Sequence, residues 1–243
     1  MHLRSLVVSG LYDRYQCEAL EFIQDEGFDH VLESIPTQQL VELDCSGTAF
    51  EPLGLEALKR HCDSLRLLAI TRSSSFTSAL VQEALESSLK LTSLRVERLT
   101  AEDIERGRPW ARLNLRLLKA QFDMRGAIDA EDDQRRHRLV IDRISTLVGL
   151  EQLAVRAVSG VKAPRLQFRI AYGFDILSCL KNLYILDVCE AKQKLESSDV
   201  CWMIDNWPKL SIVEGSLNHD DVNQDCFLQE LLVKHNITYR NDG

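Results

Sequence analysis

The sequence predicts an α/β fold, a leucine-rich-repeat solenoid with short parallel strands on a concave face and helices on a convex one. Three observations carry this. A motif, L-x-x-L-x-(small apolar), recurs from one end of the 243 residues to the other. Its spacing falls mostly at the period of such repeats. Between its copies the apolar pattern changes from strand to helix periodicity.

The motif occurs at Leu3/Leu6/Val8, Leu40/Leu43/Cys45, Leu65/Leu68/Ile70, Leu91/Leu94/Val96, Leu115/Leu118/Ala120, Leu150/Leu153/Val155, Leu183/Leu186/Val188 and Leu210/Val213/Gly215. Successive copies start 37, 25, 26, 24, 35, 33 and 27 residues apart. Four of these intervals lie in the range of about 20–29 residues expected for leucine-rich repeats, and the long ones contain insertions. Within each copy the second and third apolar positions alternate with other residues, the period of a strand with one buried face. About eight irregular repeats follow, each opening on a short strand.

Between strands the spacing becomes helical, as in Phe28/Val31/Leu32/Ile35 stopped by Pro36, Leu55/Leu58/Cys62 and Val140/Ile144/Leu147/Val148. Parallel strands joined by right-handed helical crossovers place all helices on one side, so the stack curves with its strands on the inner wall. One repeat buries too few apolar side chains to fold alone, and its neighbours must close a common core. Residues 1–243 therefore read as a single repeat domain. Two departures from regularity stand out: a charged insertion at about 123–138, and a C-terminal cap at about 222–243. The cap is a last helix carrying Phe227/Leu228/Leu231/Leu232 followed by the polar tail 236–243. The first repeat strand begins at Leu3 with no polar element before it. An exposed apolar edge is a liability, so the chain is expected to be a piece of something longer or to pair that strand with a partner.

Composition narrows the function classes. The net charge is 29 − 37 = −8, which repels phosphate backbones and anionic membranes, so no nucleic acid and no membrane is expected as partner. No apolar run approaches the ~18 residues of a membrane span, and residues 1–11 lack the flanks of a signal peptide. Seven cysteines, an odd and scattered set, suit a reducing compartment, cytoplasmic or nuclear. Catalytic constellations are thin. His61 and Cys62 are adjacent and point apart on a helix, with Cys62 on the apolar face, and His219-Asp220-Asp221 has no second ligand cluster. No phosphate-binding, zinc-protease or nucleophile-elbow motif occurs. No cofactor, no metal and no enzymatic role are expected.

The C-terminal third carries a more specific signature. The run Tyr172-Gly173-Phe174-Asp175-Ile176-Leu177, then Leu180-Lys181-Asn182-Leu183, then Val200-Cys201-Trp202-Met203-Ile204-Asp205-Asn206-Trp207-Pro208-Lys209-Leu210 and Gly215-Ser216-Leu217-Asn218 resembles the fungal family of F-box-associated, ribonuclease-inhibitor-like leucine-rich-repeat proteins. Residues 134–155 are similar as well, and the likeness covers roughly residues 110–218. It implies a substrate-recognition arm, because longer members of that family carry an F-box that docks on a cullin ubiquitin ligase while the repeats hold the target. Nothing before Leu3 has the length of an F-box, and residues 11–36 read as repeat helices. The resemblance thus bears on the repeats, and a Skp1-like adaptor and a cullin are expected partners only if an F-box lies outside this chain. The alternative is a regulatory or scaffolding repeat protein of the ribonuclease-inhibitor type with no ubiquitin-ligase link.

A protein partner is expected on the concave face, where side chains flanking the strand core positions point. Arg95, Lys119 and Arg156 fall on three successive motif strands, bracketed by Asp44 on one side and by Asp187 and Glu214 on the other. One reading is a basic central strip for an acidic or phosphorylated segment. The other is that these charges pair across strands, Glu97 with Lys119 and Arg156 with Asp187, and solubilise the wall. Trp202 lies off the apolar face of its short helix and is the candidate aromatic anchor, whereas Trp207 shares that face with Val200, Met203 and Ile204 and reads as core. The stretch 123–138, dense in both signs, reads as a solvated loop and helix start.

Overall fold

The computed structural model describes residues 4–7, 25–46, 52–71, 77–110, 114–156, 165–189 and 191–240. The first motif positions Leu3 and Val8 lie outside them, as do residues 11–24 of the expected first helices. The strands are β1 (Ser5–Val7), β2 (Glu42–Asp44), β3 (Leu67–Ile70), β4 (Ser93–Val96), β5 (Leu99–Thr100), β6 (Leu117–Asp123), β7 (Gln152–Arg156), β8 (Ile185–Asp187), β9 (Ile212–Glu214) and β10 (Thr238–Arg240). The helices are α1 (Asp25–Ser34), α2 (Pro52–Lys59), α3 (Ser78–Ser87), α4 (Ala101–Arg106), α5 (Ala130–Ser145), α6 (Ser197–Asn206) and α7 (Val222–Lys234). The chain is an α/β protein with a parallel sheet.

Sheet order follows chain order, β1-β2-β3-β4-β6-β7-β8-β9-β10, and only the short β5 stands off the path, paired to the far end of β6. Every strand therefore pairs with the next repeat's strand in parallel. The repeat leucines occupy the same register throughout: Leu6, Leu43, Leu68, Leu94, Leu118, Leu153, Leu186 and Val213 are successive partners. From Leu43 onward they are fully buried. They merge with the buried faces of the helices into one apolar core running from Leu32 to Ile237. Helices pack on their neighbours in sequence, α1 on α2, α2 on α3, α3 on α4, α4 on α5 and α6 on α7. Between β7 and β8 two 3-10 turns, Ile170–Tyr172 and Phe174–Cys179, replace the helix.

Short polar side chains set the helix starts. Thr77, Thr100, Asp129 and Asp221 each accept a hydrogen bond from a main-chain N–H of the first turn of α3, α4, α5 and α7, which satisfies donors the helix leaves open. Glu196 and Asp199 form a reciprocal capping box on α6. Polar staples join neighbouring repeats. The fully buried Gln193 accepts from Phe168 N and donates to Leu166 O, at 2.9 and 2.8 Å. Asp225 accepts from the main-chain N–H groups of Leu217 and Asn218.

Two sequence expectations change, those for the tail and for two helix positions. The stretch 123–138 contains the helix start read for it: it is the end of β6, a tight turn and the first nine residues of α5, whose carboxylates and guanidiniums interlock. The 2 %-exposed Asp123 takes Arg125 through two nitrogens and also pairs with Arg98, and Asp132 pairs with Arg135 and Arg136. The tail past 236 extends the sheet, with β10 pairing in parallel to β9 through Tyr239 and Val213. Val31 and Val148, expected on buried helix faces, are exposed, while Leu32, Ile35, Val140, Ile144 and Leu147 are buried.

Candidate protein-binding face

Alternation along each strand turns every second side chain away from the core, and the parallel register aligns these outward residues into rows running across the strands. The first row reads Glu42, Leu67, Ser93, Leu117, Gln152, Ile185, Ile212 and Thr238 from β2 to β10. Leu67, Leu117, Ile185 and Ile212 in it are half-buried apolar side chains. The second row reads Val7, Asp44, Ala69, Arg95, Lys119, Ala154, Asp187, Glu214 and Arg240. A row with four half-buried aliphatic side chains thus lies beside one that carries six charged residues on the same face.

Register decides which charges are free. Arg95 and Lys119 are direct cross-strand partners, with Ala69 on one side and Ala154 on the other. Arg156 sits one rung further along, opposite Gln121, and is engaged with Asp187 at 3.6 Å. Glu214 is held by Arg240 at 3.1 Å. The expected Arg156–Asp187 pair therefore forms. Glu97 and Lys119 form no ion pair: Glu97 lies just past the end of β4, two residues beyond Arg95. Neither Arg95 nor Lys119 has a carboxylate at ion-pair distance among the described residues.

The symmetric pattern of acid, base and acid read from the sequence is thereby corrected. Asp187 is 8 % exposed, and its Oδ1 accepts from Cys189 N at 2.9 Å, so it is a structural acceptor and not a free acidic flank. Asp44 remains on the outward row, with Oδ1 taking Ser46 N. Burial lowers the pKa of Lys119, and the neighbouring Arg156 and Arg95 push it down further against the pull of Asp187. The central cations are close enough to feel one another.

Trp202 is not on this face. It belongs to α6, half-buried, with its ring 4.6 Å from Phe174 and 5.6 Å from Trp207. Trp207 is core, and its indole N–H donates to Leu177 O. The outward position of Trp202 on the helical wheel is covered by the 3-10 turn that precedes β8, a contact no local pattern contains.

The remaining chemistry is structural. Cys62 is buried with its pKa raised, chiefly by burial, and His61 sits against Leu32 O. The Cys189 thiol is pushed up to about 12 by burial and by Asp187, far from a nucleophile's range. Asp220 pairs with Lys194 and Asp221 caps α7. Among the described residues no group of three or more His, Cys, Asp or Glu side chains is placed to hold a metal, and no helix is long and apolar enough to cross a membrane. An open cleft of about 550 Å³ lies between α7 and β10, lined by Cys226, Gln229, Glu230, Val233, Lys234 and Tyr239.

Sequence reasoning placed Leu67, Leu117, Ile185 and Ile212 on the outward face but missed Arg240. A signal for it existed: Tyr239 follows Val213 by 26 residues, an ordinary repeat interval. No family model and no curated protein matches the chain.

Proposed function

We propose that the chain is a leucine-rich-repeat solenoid of the ribonuclease-inhibitor type, whose outward strand face is the concave wall. On this reading it binds a protein partner there and catalyses nothing, as the substrate-recognition repeats of an F-box ubiquitin-ligase receptor do. The observation that supports it most is the unbroken parallel register from β1 to β10, which sets the aliphatic side chains Leu67, Leu117, Ile185 and Ile212 beside a charged row on one wall. Interfaces combine apolar contact with placed polar groups in this way, and rigid strands hold both without ordering a loop. The resemblance carried by 172–177, 202–210 and 215–218 supports the receptor reading, in the cytoplasm or nucleus.

Affinity purification of the full-length protein tests it, with Ala154→Trp as a plug on the wall and thermal melts to verify folding. The expected result is a partner recovered with the native chain and lost with Ala154→Trp. A Skp1-like adaptor and cullin in the same eluate support ubiquitin-ligase receptor function, and one stoichiometric partner without them supports a regulatory scaffold. Recovery unchanged by Ala154→Trp overturns the wall as interface.

A further inference from the structure

We propose that Arg95 and Lys119 form a clamp for one carboxylate, an Asp or Glu side chain on an extended segment of the partner that crosses the strands beside Leu67 and Leu117. The inference rests on the wall reading above and adds the chemistry of what the wall holds.

Four observations lead to it. Arg95 and Lys119 stand side by side in register on adjacent strands, their backbones about 4.8 Å apart, so both headgroups can reach the oxygens of one carboxylate. Their row neighbours Ala69 and Ala154 are short, so an incoming side chain meets no competing headgroup on either side. The other cations of this part of the wall, Arg156 and Arg240, already hold Asp187 and Glu214. And in the adjoining row Leu67 and Leu117 flank Ser93, so apolar contact is available one rung away.

Charge arithmetic selects the class of anion. Arg95 and Lys119 contribute +2, the paired Arg156 and Asp187 cancel, and Glu97, just past the end of β4, contributes −1. The local sum of +1 matches a carboxylate, and a phosphate monoester near −2 would leave a negative excess beside Glu97. Lys119 also gains most from such a partner, because burial and two guanidiniums oppose its charge. An anion in the clamp offsets that opposition.

Fluorescence anisotropy on the full chain tests the clamp, using labelled 12-residue peptide libraries with apolar flanks and a fixed central Glu, Gln, Lys or phosphoserine. The expected result is that Glu-centred peptides bind and that Gln at the centre, Arg95→Ala or Lys119→Ala each weakens them about tenfold, with a loss that shrinks at high salt. Arg95→Glu with Lys119→Glu should turn the preference to Lys-centred peptides. Peptides that bind the wall, as judged by loss with Ala154→Trp, but ignore the central charge overturn the clamp and leave the wall reading intact. So does a phosphoserine preference. Binding indifferent to Ala154→Trp overturns both, and no binding at millimolar peptide overturns the clamp while the purification experiment still decides the wall.

Discussion

Lys119 keeps its charge on a wall where burial, Arg156 and Arg95 all oppose it. Its folded-state pKa lies below the usual 10.5, so the unfolded chain holds that proton more tightly. The charged form therefore subtracts from stability at neutral pH, and the penalty fades as pH rises from the folded-state value toward 10.5. Lys119→Met keeps the aliphatic stem and removes the charge. It is expected to raise the melting temperature at pH 7 by about 1–3 °C while abolishing preference for Glu-centred peptides. A lower melting temperature would mean that Asp187 already compensates the charge. At the same scale Asp123 is the opposite case. Burial opposes its ionisation, but hydrogen bonds from Arg125 and the charges of Arg98 and Arg125 outweigh it and hold the carboxyl below its ordinary range.

At the scale of elements, neighbouring repeats are joined by two kinds of contact with different consequences. Leucine packing is forgiving, because an apolar side chain of similar volume fills the same space. The polar staples are not. Gln193 satisfies Phe168 N and Leu166 O in the segment before β8, where 3-10 turns stand in for a helix. Gln193→Leu leaves both groups buried and unpaired, an expected loss of about 2–4 kcal/mol by urea denaturation. A change under 0.5 kcal/mol would mean that water replaces the amide. The repeat leucines were legible in sequence because their spacing is a local signal. The staple was not, since its partners stand 25 and 27 residues away.

For the whole molecule, strands and helices touch almost entirely the neighbouring element of their kind along the chain, the condition under which stability is a sum of repeat and interface contributions and not one global quantity. Gly215 offers a probe. Its φ is +93°, and a Cβ there would lie 2.5 Å from Cys189 N, so Gly215→Ala strains the β8–β9 junction from both sides. Hydrogen exchange should then quicken across β8, β9, α7 and β10 and stay unchanged in β3, β4 and β6. Uniform quickening along the chain would show a single cooperative unit.

The sequence by itself determined the α/β class, the parallel strand at each L-x-x-L-x motif, the buried leucines and the core position of Trp207, because each depends on a period of two or of 3.6 read within one segment. It also placed Arg95, Lys119 and Asp44 on the outward face. Tertiary structure alone decided which of those charges are free. Arg156 stands opposite Gln121 and not in the row of Lys119, Asp187 is enclosed, Glu214 meets Arg240 from a tail that had looked like a polar cap, and Trp202 is covered by Phe174. Pairing across strands is a relation between residues about 25–35 apart, and a shift of one rung exchanges an ion pair for a free cation, so no reading of either segment alone contains it.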